Sequence, residues 1–291
     1  MSQRLKIAVV ATLVLVNVAL VFLIREKMAD SRAEAARATP AVAPTTTVLT
    51  PTPEPTSRPG GQQSLTVADD DAIFRIHGGS CDGRDRPAIT VSTDTGATFD
   101  DVGLPEDMRA VFMLTAEDAD TLDLVAAPQG CEPQRFVSTD GGESWEAAEG
   151  ADVWFLGPRA RVTAPVGVVD PGCTETLTLS APNPDTARVF CASGVLIGSN
   201  DAGETWFRLG ALDGVKAAAY AGGRQGYALA PDGGCATGSY ATQDAGRTWT
   251  AAGCLDAAPG RALAANRNLV AAIAGDAVYV SEDGGRTWTK A

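Results

Sequence analysis

The residues able to do chemistry are few. His77 is the single histidine among 291 residues, and it closes the run FRIH, Phe74 to His77. A Ser–His–Asp relay would have to use it, and no serine stands in a Gly-x-Ser-x-Gly setting. Six cysteines without a Cys-x-x-Cys pair, beside one histidine, do not compose a zinc site, so no metal or cofactor is expected. The acidic stretches Asp69–Asp71 and 117–123 lack EF-hand spacing and read as solvated turns. GGRQG at 222–226 is followed by no phosphate-binding helix. Tyr220, Tyr227, Tyr240 and Tyr279 fall in β-rich runs as strand residues. What remains is an acid inside a recurring octapeptide, STDGGESW at 138 and SEDGGRTW at 281.

The octapeptide occurs five times: STDTGATF at 92, STDGGESW at 138, SNDAGETW at 199, TQDAGRTW at 242 and SEDGGRTW at 281. Position one is Ser or Thr, position three Asp, position five Gly, position seven Ser or Thr, and position eight aromatic. A catalytic acid need not be repeated, so the acid is architectural. Asp at the start of a turn accepts bonds from backbone N–H groups two residues on. Gly at position five permits a positive φ. The aromatic opens the returning strand. Before each box lie short β-rich runs broken by Gly, Pro, Asp and Asn, so each repeat is four strands with the box as the last hairpin turn. Four strands per repeat of about 40–46 residues describe a propeller blade.

Box spacings are 46, 61, 43 and 39 residues. The long one holds an insertion at 151–172, either a projecting hairpin or a degenerate part-blade. The expected fold is all-β: a propeller of five four-stranded antiparallel blades, or six if the insertion is a blade. The first strand, near Leu65–Val67, would be inner and the last, after Trp288, outer. No strand swaps across to close the ring, so closure would rest on packing between blades.

The octapeptide resembles the Asp-box, or BNR repeat, of sialidases, sortilin-type receptors and the photosystem II assembly factor family, over residues 64–291. The resemblance implies structural roles for Asp94, Gly96, Asp140, Gly142, Trp145, Asp201, Gly203, Trp206, Asp244, Gly246, Trp249, Asp283, Gly285 and Trp288. It also supplies one enzymatic candidate. Sialidases carry an F/Y-R-I-P motif whose arginine binds the substrate carboxylate; Arg75 matches and His77 replaces the proline. In the blade alignment, however, FRIH falls on a second strand, whereas the sialidase motif belongs on the innermost. Arg109, Arg188 and Arg224 have no matching motif, and no Tyr–Glu pair is recognisable.

In a four-stranded meander the first and third turns lie on one face of the ring, and the second turns and blade-to-blade links on the other. Cys81, Cys131 and Cys235 are expected in second-turn loops, Cys191 at a strand end, and Cys173 and Cys254 in links. All six therefore fall on the face opposite the boxes. Cys235 and Cys254 are nearly symmetric about the fourth box, and Cys173 and Cys191 about Asn183. These pairs are expected to be bridged, which leaves Cys81–Cys131. The bridges would stiffen loops 78–88, 127–134, 151–174 and 230–239.

Ile7–Ile24 carries no charge and is long enough, at about 27 Å as a helix, to cross a bilayer core. Arg25, Glu26 and Lys27 follow it, which favours an uncleaved anchor over a cleaved signal and a secreted chain. The expected domains are 1–27, an anchor; 28–63, a Pro/Thr-rich extended tether; and 64–291, the propeller. Disulfides place the propeller outside the cytoplasm, giving a single-pass plasma-membrane protein with its N-terminus inside. Four lysines against 19 arginines is a bias of GC-rich bacterial genomes. Residues 64–291 hold 16 Lys/Arg and 32 Asp/Glu, a balance of −16 that would repel nucleic acid. The expected function is a non-catalytic binding or assembly module with a protein or glycan ligand on the cysteine-bearing face. The alternatives are a sialidase-like exo-glycosidase and a cell-surface structural protein without a dedicated ligand.

Overall fold

The computed structural model describes residues 63–150, 153–232, 234–255 and 259–291. The expected anchor at 7–24 and tether lie outside the described residues. Among the described residues no helix is long and apolar enough to cross a membrane.

Six sheets, each of strands consecutive in sequence, form six blades. Blade 1 is β1 (Gln63–Val67), β2 (Ile73–His77), β3 (Ala88–Ser92) and β4 (Asp100–Val102). Blade 2 is β5 (Ala110–Ala116), β6 (Leu122–Ala127), β7 (Gln134–Ser138) and β8 (Glu146–Ala148). Blade 3 has three short strands, β9 (Phe155–Leu156), β10 (Val162–Ala164) and β11 (Gly167–Val169), with a 3₁₀ turn at Pro158–Ala160. Blade 4 is β12 (Thr176–Asn183), β13 (Thr186–Cys191), β14 (Val195–Ser199) and β15 (Phe207–Ala211). Blade 5 is β16 (Ala217–Tyr220), β17 (Gly226–Asp232), β18 (Cys235–Thr242) and β19 (Thr250–Leu255). Blade 6 is β20 (Gly260–Ala265), β21 (Val270–Ala274), β22 (Ala277–Ser281) and β23 (Thr289–Lys290). All pairings are antiparallel.

The insertion is thus a part-blade, and its missing strand is the inner one. The β10–β11 turn lies against the box of blade 4: a Cβ on Gly203 would stand 2.7 Å from Ala164 Cβ and 3.5 Å from Val166 Cγ2. Trp154, just before β9, donates Nε1–H to Pro184 O in the first turn of blade 4 at 2.7 Å. The β10–β11 turn therefore occupies the place a box holds elsewhere, β11 is the outer strand, and β9 corresponds to a second strand.

The boxes share one hydrogen-bond scheme, which differs from the sequence expectation. The position-one hydroxyl, rather than the aspartate, accepts the glycine amide: Gly96 N–H to Ser92 Oγ at 2.7 Å, Gly142 to Ser138 at 2.9 Å, Gly203 to Ser199 at 3.0 Å, Gly246 to Thr242 at 3.0 Å and Gly285 to Ser281 at 2.8 Å. Aspartate Oδ1 accepts the same hydroxyl and the N–H four residues on, while Oδ2 accepts the position-seven hydroxyl. Positions four and five are both left-handed, as at Ala245 (φ 66°) and Gly246 (φ 87°). The position-one side chains are buried.

Position five is glycine for a second reason, which is contact with the preceding blade. A Cβ there would meet Ala291 Cβ at 2.4 Å in box 92, Val102 Cγ1 at 2.5 Å in box 138, and Leu196 Cδ2 at 2.1 Å in box 242. The preceding outer strand answers with glycines of its own. A Cβ on Gly103 would stand 2.5 Å from Gly142 O, on Gly210 2.2 Å from Gly246 O, and on Gly253 2.2 Å from Arg286 O. Each lies eleven residues after its own box begins.

Apolar clusters fill the seams between blades 1 and 2, 3 and 4, 4 and 5, 5 and 6, and 6 and 1. Among the described residues no strand is swapped between blades. Closure between blades 6 and 1 adds a clasp to the packing: Asn266 Nδ2 donates to Ala68 O at 2.6 Å and Asp71 Oδ1 at 2.7 Å.

The three expected bridges, Cys81–Cys131, Cys173–Cys191 and Cys235–Cys254, are present. Two placements differ. Cys254 lies within β19, where Gly238 is its cross-strand partner, rather than in a link. Cys235 opens β18, so 230–239 is a tight turn between two strands instead of a long loop. The bridge ties the start of β18 to β19, with 5.8 Å between the two Cα atoms, rather than stiffening a long loop.

Candidate binding cleft

The box face of the ring carries the first turns and box turns of every complete blade. Between blades 5 and 6 these turns enclose a cleft of about 670 Å³. Its walls are the first turn of blade 5 (Arg224, Gln225), the first turn of blade 6 (Arg267, Asn268), and the two boxes with Asp244, Thr248, Asp283 and Arg286. Its floor is the start of β19, Thr250 to Ala252. Small residues lie there because β19 must pass close to the box of blade 6 at Gly253.

Arg224, Arg267 and Arg286 are exposed. None has a carboxylate within 4 Å among the described residues, where the ion pairs are His77–Asp85, Arg84–Asp82 and Arg135–Asp123. Three acids line the cleft as well: Glu282, and Asp244 and Asp283, which are bonded within their own turns. Asp244 Oδ1 accepts Thr248 N–H at 2.9 Å and Thr242 Oγ1–H at 2.8 Å, and Oδ2 accepts Thr248 Oγ1–H at 2.7 Å. These bonds, led by that from the Thr248 amide, hold the Asp244 carboxyl down to about 2. Thr287, through its hydroxyl and then its amide, does the same to Asp283. Asp94 and Asp140 also sit at about 2, and Asp201 is lowered by its bonds to Thr205.

Behind the first turn of blade 5 lies Arg188, 4% exposed on β13. Its Nη1 donates to Ala187 O (2.8 Å) and Ser199 O (2.9 Å), and its Nη2 to Asn200 Oδ1 (3.0 Å) and Gly223 O (2.9 Å). The guanidinium stands 5.9 Å from the Tyr220 ring centroid, and burial lowers its pKa. Its Nε has no partner in the structure. Arg224 O, next in the chain, accepts Ala245 N–H at 2.9 Å, so the turn is held at both ends.

The sialidase-type candidates do not converge. Arg75 is on β2, the second strand, opposite Leu65 and Thr90. It shares the side of Ile73, which packs toward blade 6, and alternates with the buried Phe74 and Ile76. His77 bonds Asp85 at 2.8 Å on the cysteine face. Arg109 is on the link into blade 2, Arg188 is in the seam between blades 4 and 5, and Arg224 alone reaches the cleft. Tyr220 is buried, which raises its pKa.

The box tryptophans are packing residues. Trp145 donates Nε1–H to Gly103 O at 3.0 Å across a seam, and Trp288 to Gly285 O at 3.2 Å. Trp206 meets Trp154 edge to face at 5.8 Å, and Trp249 lies beside Phe190 and Tyr220.

Sequence reasoning missed the cleft, although a signal was available at box position six. That position is Ala97, Glu143 and Glu204 in the first three boxes but Arg247 and Arg286 in the last two.

A model of the BNR/Asp-box repeat matches residues 136–147 and 279–290. A search of the curated proteins gave no match. Similar solved structures include YCF48 from Cyanidioschyzon merolae, 14% identical over 81% of this chain and 86% of that one, with a TM-score of 0.33. An Aleuria aurantia lectin mutant in complex with Fucα1-6GlcNAc is 11% identical over 79% and 94%, with a TM-score of 0.49. The Niastella koreensis GH74 enzyme is 17% identical over 80% of this chain and 38% of that one, with a TM-score of 0.33. With boxes in five of its six blades, the chain is a β-propeller built on BNR/Asp-box repeats.

Proposed function

We propose that this protein is a membrane-tethered, extracytoplasmic binding module without catalytic activity, and that its ligand seat is the cleft between blades 5 and 6. The observation that carries the reading is the state of the two box aspartates there. Asp244 and Asp283 are held near 2 by their own turns. They are therefore ionised and fully hydrogen-bonded at neutral pH, whereas an acid–base catalyst needs a pKa near the working pH. Among the lining residues the cleft holds no histidine and no cysteine. Its arginines and amides are binding groups on turns held by a stiff ring. The apolar segment 7–24 and the three disulfides support the tethered, extracytoplasmic part of the reading. The seat lies on the face opposite the one the cysteine loops had suggested.

The test is affinity capture with full-length protein in detergent, native against Ala251→Trp. Ala251 is exposed on the cleft floor, so an indole there fills the seat without touching the core. A partner retained by the native protein and lost by Ala251→Trp is the expected result. Identical captures by both would leave a structural protein without a dedicated ligand at this seat. Hydrolysis of a fluorogenic sialoside by the native protein would return the enzyme reading.

A further inference from the structure

We infer that the cleft between blades 5 and 6 takes a short acidic peptide segment in extended form; this rests on the binding reading above. The box face is polarised. The first turns of blades 1 and 2 carry Asp69, Asp70, Asp71, Glu117, Asp118 and Asp120. The corresponding turns of blades 5 and 6 carry Arg224 and Arg267, and their boxes hold Arg247 and Arg286 beside Asp244, Glu282 and Asp283, four cations to three acids. On a domain with a balance of −16, this spot, whose exposed arginines have no carboxylate within 4 Å among the described residues, is where an anion is least repelled.

Arg188 gives the independent observation. Its guanidinium is buried, bonds only carbonyl and amide oxygens, and has no carboxylate partner. Its charge is therefore not cancelled locally. It sits directly beneath the Gly223–Arg224 peptide and adds positive potential behind the turn that presents Arg224. Through the bond to Gly223 O it also fixes that turn, whose Gly222 and Gly223 touch nothing else within 4 Å of a would-be Cβ. Arg188 is in this sense a positioning residue for the seat.

A carboxylate is the natural partner of an arginine fork. Peptide is favoured over acidic glycan on two grounds. The one lining aromatic, Tyr227, is buried with its hydroxyl bonded to Gln225, so there is no ring on which a sugar could stack. A uniformly charged polysaccharide running out of the cleft would also cross the acidic turns of blades 1 and 2 or the acidic remainder of the domain. A peptide can confine its acids to the seat and present backbone groups to Gln225, Gln243 and Asn268 over the flat floor at Ala251 and Ala252.

Full-length protein in detergent would be titrated with fluorescein-labelled hexaglutamate, hexagalacturonate and hexalysine at about 0.1 M salt, followed by anisotropy. Hexaglutamate should bind saturably and more tightly than hexagalacturonate, and hexalysine should not bind. Arg224→Ala, Arg267→Ala and Arg286→Ala should each weaken hexaglutamate by about five- to tenfold. Arg86→Ala, on the cysteine face, should change nothing. Arg188→Gln should weaken it comparably, and Arg188→Gln/Arg224→Ala should weaken it by less than the product of the two single losses. Melting curves would identify a variant that fails to fold, and Arg188→Lys, which keeps the charge without the planar fork, should recover part of the affinity. Tighter hexagalacturonate binding would overturn the peptide assignment in favour of a glycan. Absence of binding by any probe, while Ala251→Trp still loses the native partner, would overturn the acidic ligand and leave the binding reading standing. If Ala251→Trp loses no partner either, the reading itself fails.

Discussion

The seam between blades 4 and 5 and the seam between blades 2 and 3 solve the same problem by different means. At the first, the box of blade 5 is pressed into blade 4 at Gly246, with Gly210 opposite it on β15 and Phe190, Leu196, Val215 and Tyr220 filling the space. At the second there is no box to press. Blade 3 lacks both the octapeptide and an inner strand, and the described aromatic contact is Phe112 with Phe155, tilted at 6.2 Å between centroids. At the position eleven residues after the box of blade 2, where Gly103, Gly210 and Gly253 stand in blades 1, 4 and 5, the chain has Glu149, exposed. The outer-strand glycine precedes the boxes at 138, 242 and 281; the boxes at 92 and 199 bear on Ala291 and Ala164 instead, and blade 2, whose neighbour has no box, has none. A box is therefore half of a contact, and its partner is written one blade earlier.

The largest expected effect follows from that contact. Gly246→Ala places a methyl 2.1 Å from Leu196 Cδ2 and 2.5 Å from the Tyr220 hydroxyl, at φ 87°. Overpacking of about 1–3 kcal/mol and about 1 kcal/mol for a left-handed alanine predict a loss of about 2–4 kcal/mol. Gly167→Ala in blade 3 has φ 115° but nothing within 4 Å, so it should cost about 1 kcal/mol. Urea unfolding of the two variants separates close approach from conformation. Equal losses would mean that the box does not bear on its neighbour.

Next comes the clamp. Ser199 is fully buried and accepts Gly203 N–H at 3.0 Å. Ser199→Ala leaves that amide without an acceptor and should cost about 1–3 kcal/mol. Ser199→Thr should cost less, since Thr242 makes the same bonds in the box at 242. An equal loss from both would show that volume, not the hydroxyl, matters.

Acid should act on the box-bearing blades and spare blade 3. Asp94, Asp140, Asp244 and Asp283 have folded pKa values of about 2 against an ordinary 3.8, so the unfolded chain binds more protons between those limits. The stability they contribute is complete above about pH 4 and is lost as pH falls toward 2. Melting temperature should be level from pH 7 to about 5 and then decline. Hydrogen exchange at pH 3 should show box amides such as Gly142 and Gly246 losing protection before those of β10 and β11. Loss beginning at β10 and β11 would contradict this account.

Most of the ring was legible because the box is a local device. Its hydroxyl, carboxylate and glycine bond within eight residues, so each copy reports its own hairpin, and the hairpins fixed the strand register and the three cysteine pairs. Blade 3 was ambiguous because strands of two or three residues carry no periodicity and its turn, Pro165–Val166, has no clamp. The placement of Cys254 erred by a few residues, where strand ends depend on pairing rather than composition. The cleft was hidden for a different reason. Arg224, Arg267 and Arg286 come from three turns in two blades, and only the ring brings them together. Asp244 and Asp283 bond within their own octapeptides and so can be read locally, while the significance of the arginines beside them needs the neighbouring blade.

The smallest expected effect is the most specific test of the pairing between box and glycine. Glu149→Gly places a glycine at the outer-strand position of blade 2, whose neighbour has no box. If that glycine has intrinsic value to an outer strand, for instance by easing twist, the substitution should stabilise the ring. If its value is only to admit a box from the next blade, there is nothing for it to admit, because blade 3 has none. The change should then fall within about 0.5 kcal/mol, as for an exposed substitution away from packed features. The reverse change, Gly210→Ala, would put a methyl 2.2 Å from Gly246 O and should destabilise by about 2–3 kcal/mol. A stabilising Glu149→Gly together with a neutral Gly210→Ala would invert the interpretation: the glycines would then serve their own strands, and the boxes would bear on the neighbouring blades without them.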